Sequence, residues 1–242
     1  MEKKTNALIS ILVAIIIALS AVLIACPYVM QSHYKMYKNV ISQEEVEETL
    51  FGQPISTERD GEYRIGVKTA IDGDYHATLT VYQANDEKYE EVFSCPALIG
   101  ENGPGKQSEG DAKTPLGTWE IGEAYGIKDD PGSFVPYTQI NDDLYWCATG
   151  SNGEKYNQLL DINYDSDIDE ETDEHLIDYG DKYSYMLDIG YNKVCAPYAG
   201  NAIFLQCWVD ENTPTTGSIA ISEENMVKVL TTVTPGTAIT VY

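Results

Sequence analysis

The chain has 242 residues, long enough for one sizeable domain with its own core and a short appended segment. With 43% hydrophobic residues it is not a disordered chain. Its formal net charge of -24 leaves no basic face for phosphates, which excludes nucleic acid as a partner. So negative an exterior either keeps an exported protein soluble or attracts cationic ligands, amines and metal ions included.

Lys3 and Lys4 precede an apolar run from Ala7 to about Met30, broken only by Ser10, Ser20 and Pro27. A run of that length can cross a hydrocarbon core of roughly 30 Å. Residues 1–6 then read as a cytoplasmic tail and 7–29 as a transmembrane anchor or signal segment, with the two lysines favouring a cytoplasmic N-terminus. Leu23–Cys26, LIAC, also fits a lipoprotein cleavage box in which Cys26 becomes the lipidated terminus. The apolar run is longer than a signal-peptide core and Pro27 follows the cysteine directly, so the single-span anchor is the preferred reading. Residues 30–60 are polar, with Glu44, Glu45, Glu47 and Glu48 clustered, and read as a stalk.

From residue 61 the pattern turns to strands. Tyr63, Ile65 and Val67 alternate, HATLTVY (His76–Tyr82) has period two, and Glu91–Ile99 carries Val92, Phe93, Ala97 and Leu98. Short strands punctuated by Gly, Pro and Asn predict a mainly β domain over 61–242 with few short helices. The glycine-rich Gly100–Gly117 lacks the GxxxxGK(S/T) spacing of a phosphate loop, and its glycines serve turns.

DINYDSDIDEETDE (Asp161–Glu174) superficially resembles a calcium loop, but position 6 is Ser166 rather than Gly and position 12 is Thr172 rather than Glu. It reads as a solvated acidic loop, with weak calcium binding at an irregular site as the alternative. Neither metal nor cofactor is expected.

Gly200–Met226, GNAIFLQCWVDENTPTTGSIAISEENM, reads as a buried strand at Ala202–Leu205, a loop turning at Pro214 and Gly217, and a second strand at Ile219–Ile221. A helix is predicted after Ser222, whose hydroxyl can cap it, with Glu223 and Glu224 favoured by the helix dipole. Gln206 is thereby placed at the end of one strand and Ser218 at the mouth of the next.

This last stretch resembles the catalytic core of the L,D-transpeptidases (YkuD-type), cysteine enzymes that cross-link bacterial peptidoglycan, whose core reads like AIFLHCW, a loop, TAGC(I/V)AI and a PEENM or SEENM helix. IGENGPGKQSEGDAKTPLGTWEIGEAYGI (Ile99–Ile127) and HLIDYGDKYSYMLDIGYN (His175–Asn192) are similar to two further segments of that family, in the same order. The resemblance implies a β-sandwich domain outside the membrane, with peptidoglycan stem peptides as partners. It also implies that Lys113, Thr114, Pro115 and Gly117 frame the substrate side, and that Thr216, Gly217 and Trp208 bind substrate. Ser218 stands where the family has its nucleophilic cysteine, and Gln206 where it has its catalytic histidine.

Those two departures decide the chemistry. A thiolate forms at modest cost beside a histidine, whereas an alcohol must lose its proton to a competent base during attack, and a primary amide is no such base. General-base catalysis is typically worth about 10² to 10⁴ in rate. Cys207 follows Gln206, but adjacent strand residues point to opposite faces. Of the three histidines, His175 is the candidate surrogate base, with a strand-edge histidine in an acidic loop as the plain alternative. Two readings follow: a catalytically impaired domain that binds stem peptides, or an active transpeptidase or hydrolase that uses Ser218.

Four cysteines lie beyond the apolar run. Cys95 and Cys207 sit in apolar runs, where cysteine packs as a small hydrophobe. That leaves Cys147 with Cys195 as the preferred disulfide, free thiols being the alternative.

Overall fold

The hydrophobic alternation noted from Tyr63 onward is realised as a meander that sets one face of the sheet toward a common core. In a computed structural model describing residues 62–70, 74–85, 88–148 and 155–242, β1 (Tyr63–Thr69), β2 (His76–Ala84) and β3 (Tyr89–Leu98) run antiparallel in sequence order. Shorter strands follow: β4 (Gly117–Glu120), β5 (Ala124–Gly126), β6 (Tyr137–Gln139), β7 (Leu144–Trp146), β8 (Leu159–Asp161), β9 (Glu174–His175) and β10 (Met186–Asp188). The chain ends with β11 (Phe204–Cys207), β12 (Ile219–Ile221), the helix α1 (Glu223–Leu230) and β13 (Ala238–Val241). The expected transmembrane anchor, the lipoprotein alternative and the stalk lie outside the described residues. Among the described residues no helix is long and apolar enough to cross a membrane.

The domain is mainly β, with α1 and a 3₁₀ segment at Leu176–Tyr183 as its short helices. A ten-stranded sheet in the order β4-β13-β1-β2-β3-β12-β11-β10-β5-β6 carries most of the chain, and a separate three-stranded sheet has the order β8-β7-β9. The C-terminal β13 pairs parallel to β1 and antiparallel to β4, so the last strand is stitched between two early ones. β12 joins the β1–β3 meander to the rest through β3 on one side and a parallel pairing to β11 on the other.

Two apolar clusters lie on opposite faces of β11. Leu205 and Cys207 point into the larger cluster with Ile65, Val67, Ile219, Ile221 and the buried face of α1, Met226, Val229 and Leu230. Phe204 points the other way, to Trp146, Tyr183, Leu176 and Met186. Burying a Leu, Ile or Val side chain contributes about 1.5–3 kcal/mol, so the wholly buried residues of the larger cluster hold β11 and β12 in register. The helix starts where expected: the Ser222 hydroxyl accepts from the Asn225 amide at 3.3 Å, with Glu223 and Glu224 in the first turn.

One strand is displaced from the sequence expectation. Ala202 and Ile203 precede β11 rather than form it, because Ala202 takes φ 49° and its amide is captured by the Asn157 Oδ1 at 2.9 Å. Gln206 therefore lies within the strand, paired across to Met186 and Ala220.

Candidate functional site

The parallel pair β11–β12 presents one face to a cavity of about 340 Å³. Gln206, Ser218 and Ala220 line it from the strands, Thr213–Thr216 from the connecting loop, Trp208 and Val209 from the end of β11, and Glu174, Tyr179 and Lys182 from the opposite wall. Gln206 reaches it by strand alternation, sharing the Phe204 face and opposing Leu205 and Cys207. Cys207 is turned to the core, where its thiol donates to the Tyr185 carbonyl at 3.5 Å and burial pushes its pKa up to about 12, so it supplies no thiolate.

Ser218 is 7% exposed, and its hydroxyl is engaged on both sides. It donates to the Ala202 carbonyl at 3.1 Å and accepts from the Phe204 amide at 3.1 Å. The hydroxyl thus bridges the chain around Ile203 and ties the entry of β11 to the mouth of β12. Attack on an acyl carbon needs that proton removed by a base, and in this arrangement the proton is donated to a backbone carbonyl while one of the oxygen's two lone pairs accepts from a backbone amide.

The loop before Ser218 is held by two threonines. Thr114 Oγ1 accepts from the Gly100 amide at 2.9 Å and donates to the Gly217 carbonyl at 2.7 Å. Thr215 Oγ1 accepts from the Gly217 amide at 3.1 Å and donates to the Ser218 carbonyl at 2.6 Å. Gly217 has φ 149°, where a side chain would be strained, and a Cβ there would sit 3.0 Å from Ile203 Cδ1 and 3.1 Å from the Lys113 carbonyl. Gly217 thus shapes the loop without itself lining the cavity, whereas Thr216 and Trp208 do line it.

Beneath this loop the Lys106 ammonium, 1% exposed, pairs with Asp111 Oδ1 at 3.0 Å. Burial pushes the Asp111 carboxyl up, but donors from the Gln107, Lys113 and Ser108 amides and the Lys106 ammonium prevail and hold it at about 2. The pair folds Lys106–Lys113 back on itself and supports Gly217 and Gly200, against which the Lys106 side chain packs.

His175 is positioned away from the cavity. Its Nε2 lies 2.9 Å from the Asp142 carbonyl and its Nδ1 3.1 Å from Asp178, while the ring stacks on Tyr145 with centroids 4.5 Å apart. Alternation along β9 turns its neighbour Glu174 to the cavity instead. Burial pushes the Glu174 carboxyl up, against a lowering hydrogen bond from Tyr179, and the charge of Glu109 adds to the rise.

Sequence reasoning did not single out Glu174, Tyr179 or Lys182, nor Glu109, whose Oε2 accepts from the Tyr156 hydroxyl at 2.9 Å and the Asn201 amide at 2.8 Å. The signal for Glu174 was its place beside His175 at the head of a matching segment. It also missed Asn157, which at φ 62° accepts from Trp146 Nε1 and the Ala202 amide and donates to the Tyr191 carbonyl.

The expected Cys147–Cys195 disulfide is not formed: none of the four described cysteines is in a disulfide. Cys147 is wholly buried, whereas Cys195 sits in a turn with Gln158 Nε2 against its sulfur at 3.1 Å and its thiol directed to the Lys193 carbonyl. The acidic loop holds its own cation, since the Lys155 ammonium lies 2.9 Å from Asp165 and 3.2 Å from Asp167. No group of side chains suited to a metal ion occurs among the described residues.

The sequence matches no protein-family model and no curated protein. Among solved structures the chain is similar to Bdellovibrio bacteriovorus Bd1075, at 19% identity over 78% of this chain and 50% of that one, with a TM-score of 0.37. It is also similar to the helical cell shape determining protein Pgp2 from Campylobacter jejuni, at 15% identity over 74% of this chain and 48% of that one, TM-score 0.39. The chain thus spans about half the length of each of these structures.

Proposed function

We propose that this is an extracytoplasmic domain of L,D-transpeptidase type that binds peptidoglycan stem peptides, is tethered by its N-terminal apolar segment, and is impaired in catalysis. The three sequence segments that resemble that family support the substrate class. The observation that carries the loss of chemistry is the Ser218 hydroxyl, bound on both sides to the backbone of Ala202 and Phe204. Beside it in the cavity lining stands an amide, Gln206, in place of a base. The cavity retains an aromatic rim at Trp208, the threonine-braced loop and a wall of mixed charge, which is a binding surface without a nucleophile–base pair.

The test is intact-protein mass spectrometry after incubation with a stem tetrapeptide and, separately, with a carbapenem, alongside equilibrium binding of the same tetrapeptide. The expected outcome is saturable binding with no covalent adduct. Rapid formation of an acyl ester on Ser218 refutes impaired catalysis and establishes the serine-nucleophile reading. Absence of binding refutes the stem-peptide assignment.

A further inference from the structure

The two ring nitrogens of His175 both face acceptors. Nε2 lies 2.9 Å from the Asp142 carbonyl oxygen and Nδ1 3.1 Å from Asp178 Oδ2. A carbonyl and a carboxylate only accept hydrogen bonds, so each nitrogen must carry a proton to make its contact, and a ring protonated at both is an imidazolium. A neutral ring has one N–H and would set a bare lone pair against an acceptor at the other position.

The groups packed around the ring suit a cation. From β7, directly opposite in the ladder, the Tyr145 ring stacks on it with centroids 4.5 Å apart and planes 16° from parallel, presenting an electron-rich face. Desolvation, and after it the charges of Glu170, Asp178 and Asp143, push the Tyr145 phenol up, which sets those three carboxylates about the stacked rings. Asp143 comes from the turn before β7, Glu170 from the acidic loop and Asp178 from the 3₁₀ segment. The other charged groups nearby in sequence look elsewhere: Glu174 and Lys182 line the cavity, and the charge of Asp181 bears on Lys128.

His175 also joins two parts of the fold that the cavity depends on. It immediately precedes the 3₁₀ segment, yet its side chain makes no cap bond there; it ties Asp178, in the first turn, to the turn before β7. The segment bends at Gly180 and supplies Tyr179, Lys182 and Tyr183 to the cavity wall.

We propose that His175 is a proton-gated clasp on the cavity wall: as an imidazolium it holds the Leu176–Tyr183 segment to the turn before β7, and as a neutral ring it keeps only one of the two contacts and loosens that wall. The side chain is 26% exposed, so the proton passes between a ring nitrogen and solvent water. The sign is fixed by the contacts. The fold stabilises the protonated ring, so the clasp is closed in mild acid and is lost as pH rises through the range in which imidazole changes charge, about pH 5 to 8. A ring held in this way has no free lone pair and is no general base. The clasp does not depend on what the cavity takes.

The experiment follows the purified full-length protein by NMR, with nitrogen-15 in histidine and carbon-13 in tyrosine, and by urea unfolding, both from about pH 5 to 8. His33→Gln and His76→Gln identify the His175 signals by elimination, so that assignment does not require a change at the clasp itself. At the acid end both His175 ring nitrogens are expected to carry protons, and the Tyr179 ring signals are expected to shift on the same curve as His175 when one proton leaves. Wild type should lead His175→Gln by about two- to fivefold in the folding equilibrium constant in acid, the range for a largely exposed pair, and the lead should vanish at about pH 8. Asp178→Asn should lose the same pH-dependent lead. A single protonated ring nitrogen at the acid end overturns the clasp, and Tyr179 signals that stay fixed while His175 titrates overturn its action on the wall. A lead over His175→Gln that is the same at every pH overturns the proton gate, and the wild-type spectra decide the first two points even if His175→Gln fails to fold.

Discussion

Replacing Ser218 by alanine separates a structural hydroxyl from a catalytic one. The Phe204 amide that the hydroxyl satisfies belongs to a residue with no solvent exposure, so in Ser218→Ala it is left as a sealed, unpaired donor. That costs about 1–3 kcal/mol, and loss of the second bond, to the Ala202 carbonyl, adds about 0.5–1.5 kcal/mol. A total of about 1.5–4.5 kcal/mol follows, or a fall in Tm of at least about 3 °C for a domain of this size. Urea unfolding with a common m-value and calorimetry of the same samples would measure it. Ser218→Cys is expected to fall between wild type and alanine, because sulfur keeps a weak donor and acceptor at the same place. A nucleophile held ready for substrate behaves in the opposite sense, since its removal is commonly neutral or stabilising. A loss below about 0.5 kcal/mol in Ser218→Ala would refute the bridging role and return the hydroxyl to the candidate nucleophiles.

Restoring thiol and base together, in Ser218→Cys with Gln206→His, should bring back acylation by a tetrapeptide donor, while either change alone should not, because the two act as a unit; single-turnover mass spectrometry reads the rates, and fast acylation in a single variant contradicts this. Asp111 has a folded pKa lowered from 3.8 to about 2, so its contribution to stability is present above about pH 4 and is lost as pH falls from there toward 2. The Tm difference between wild type and Asp111→Asn should therefore shrink across that interval, and a constant difference rules the Asp111 network out as its source. Asn157→Ala removes four half-buried hydrogen bonds at a residue with φ 62° and should cost about 3 kcal/mol or more; a loss under about 1 kcal/mol shows that the 191–202 loop is held otherwise.

The strands from Tyr63 to Leu98 and the helix after Ser222 were legible in the sequence because both signals are local. A period of two over seven or more residues commits one face to the core, and a capping serine followed by two glutamates marks a helix start without help from distant residues. The pairing of Gln206 with Ser218 in one site was legible only through resemblance to a known order of motifs. Alternation then correctly turned Cys207 away from it.

Tertiary structure alone decided the rest. Where β11 begins depends on Asn157, 45 residues upstream, capturing the Ala202 amide. Which of Glu174 and His175 faces the cavity depends on how a two-residue strand lies against β7, and no periodicity can be read from two residues. Gln158 lying against Cys195 is likewise a contact between segments remote in sequence, and Lys155 reaches into the acidic loop ten residues on without any periodicity to announce it. The Ser218 hydroxyl is the sharpest case: residue type admits a nucleophile, and only the approach of Ala202 and Phe204, 16 and 14 residues away, commits its proton and one of its two lone pairs to the backbone. Side-chain chemistry is a property of the residue, but availability for reaction depends on which groups the fold has already brought within hydrogen-bonding distance.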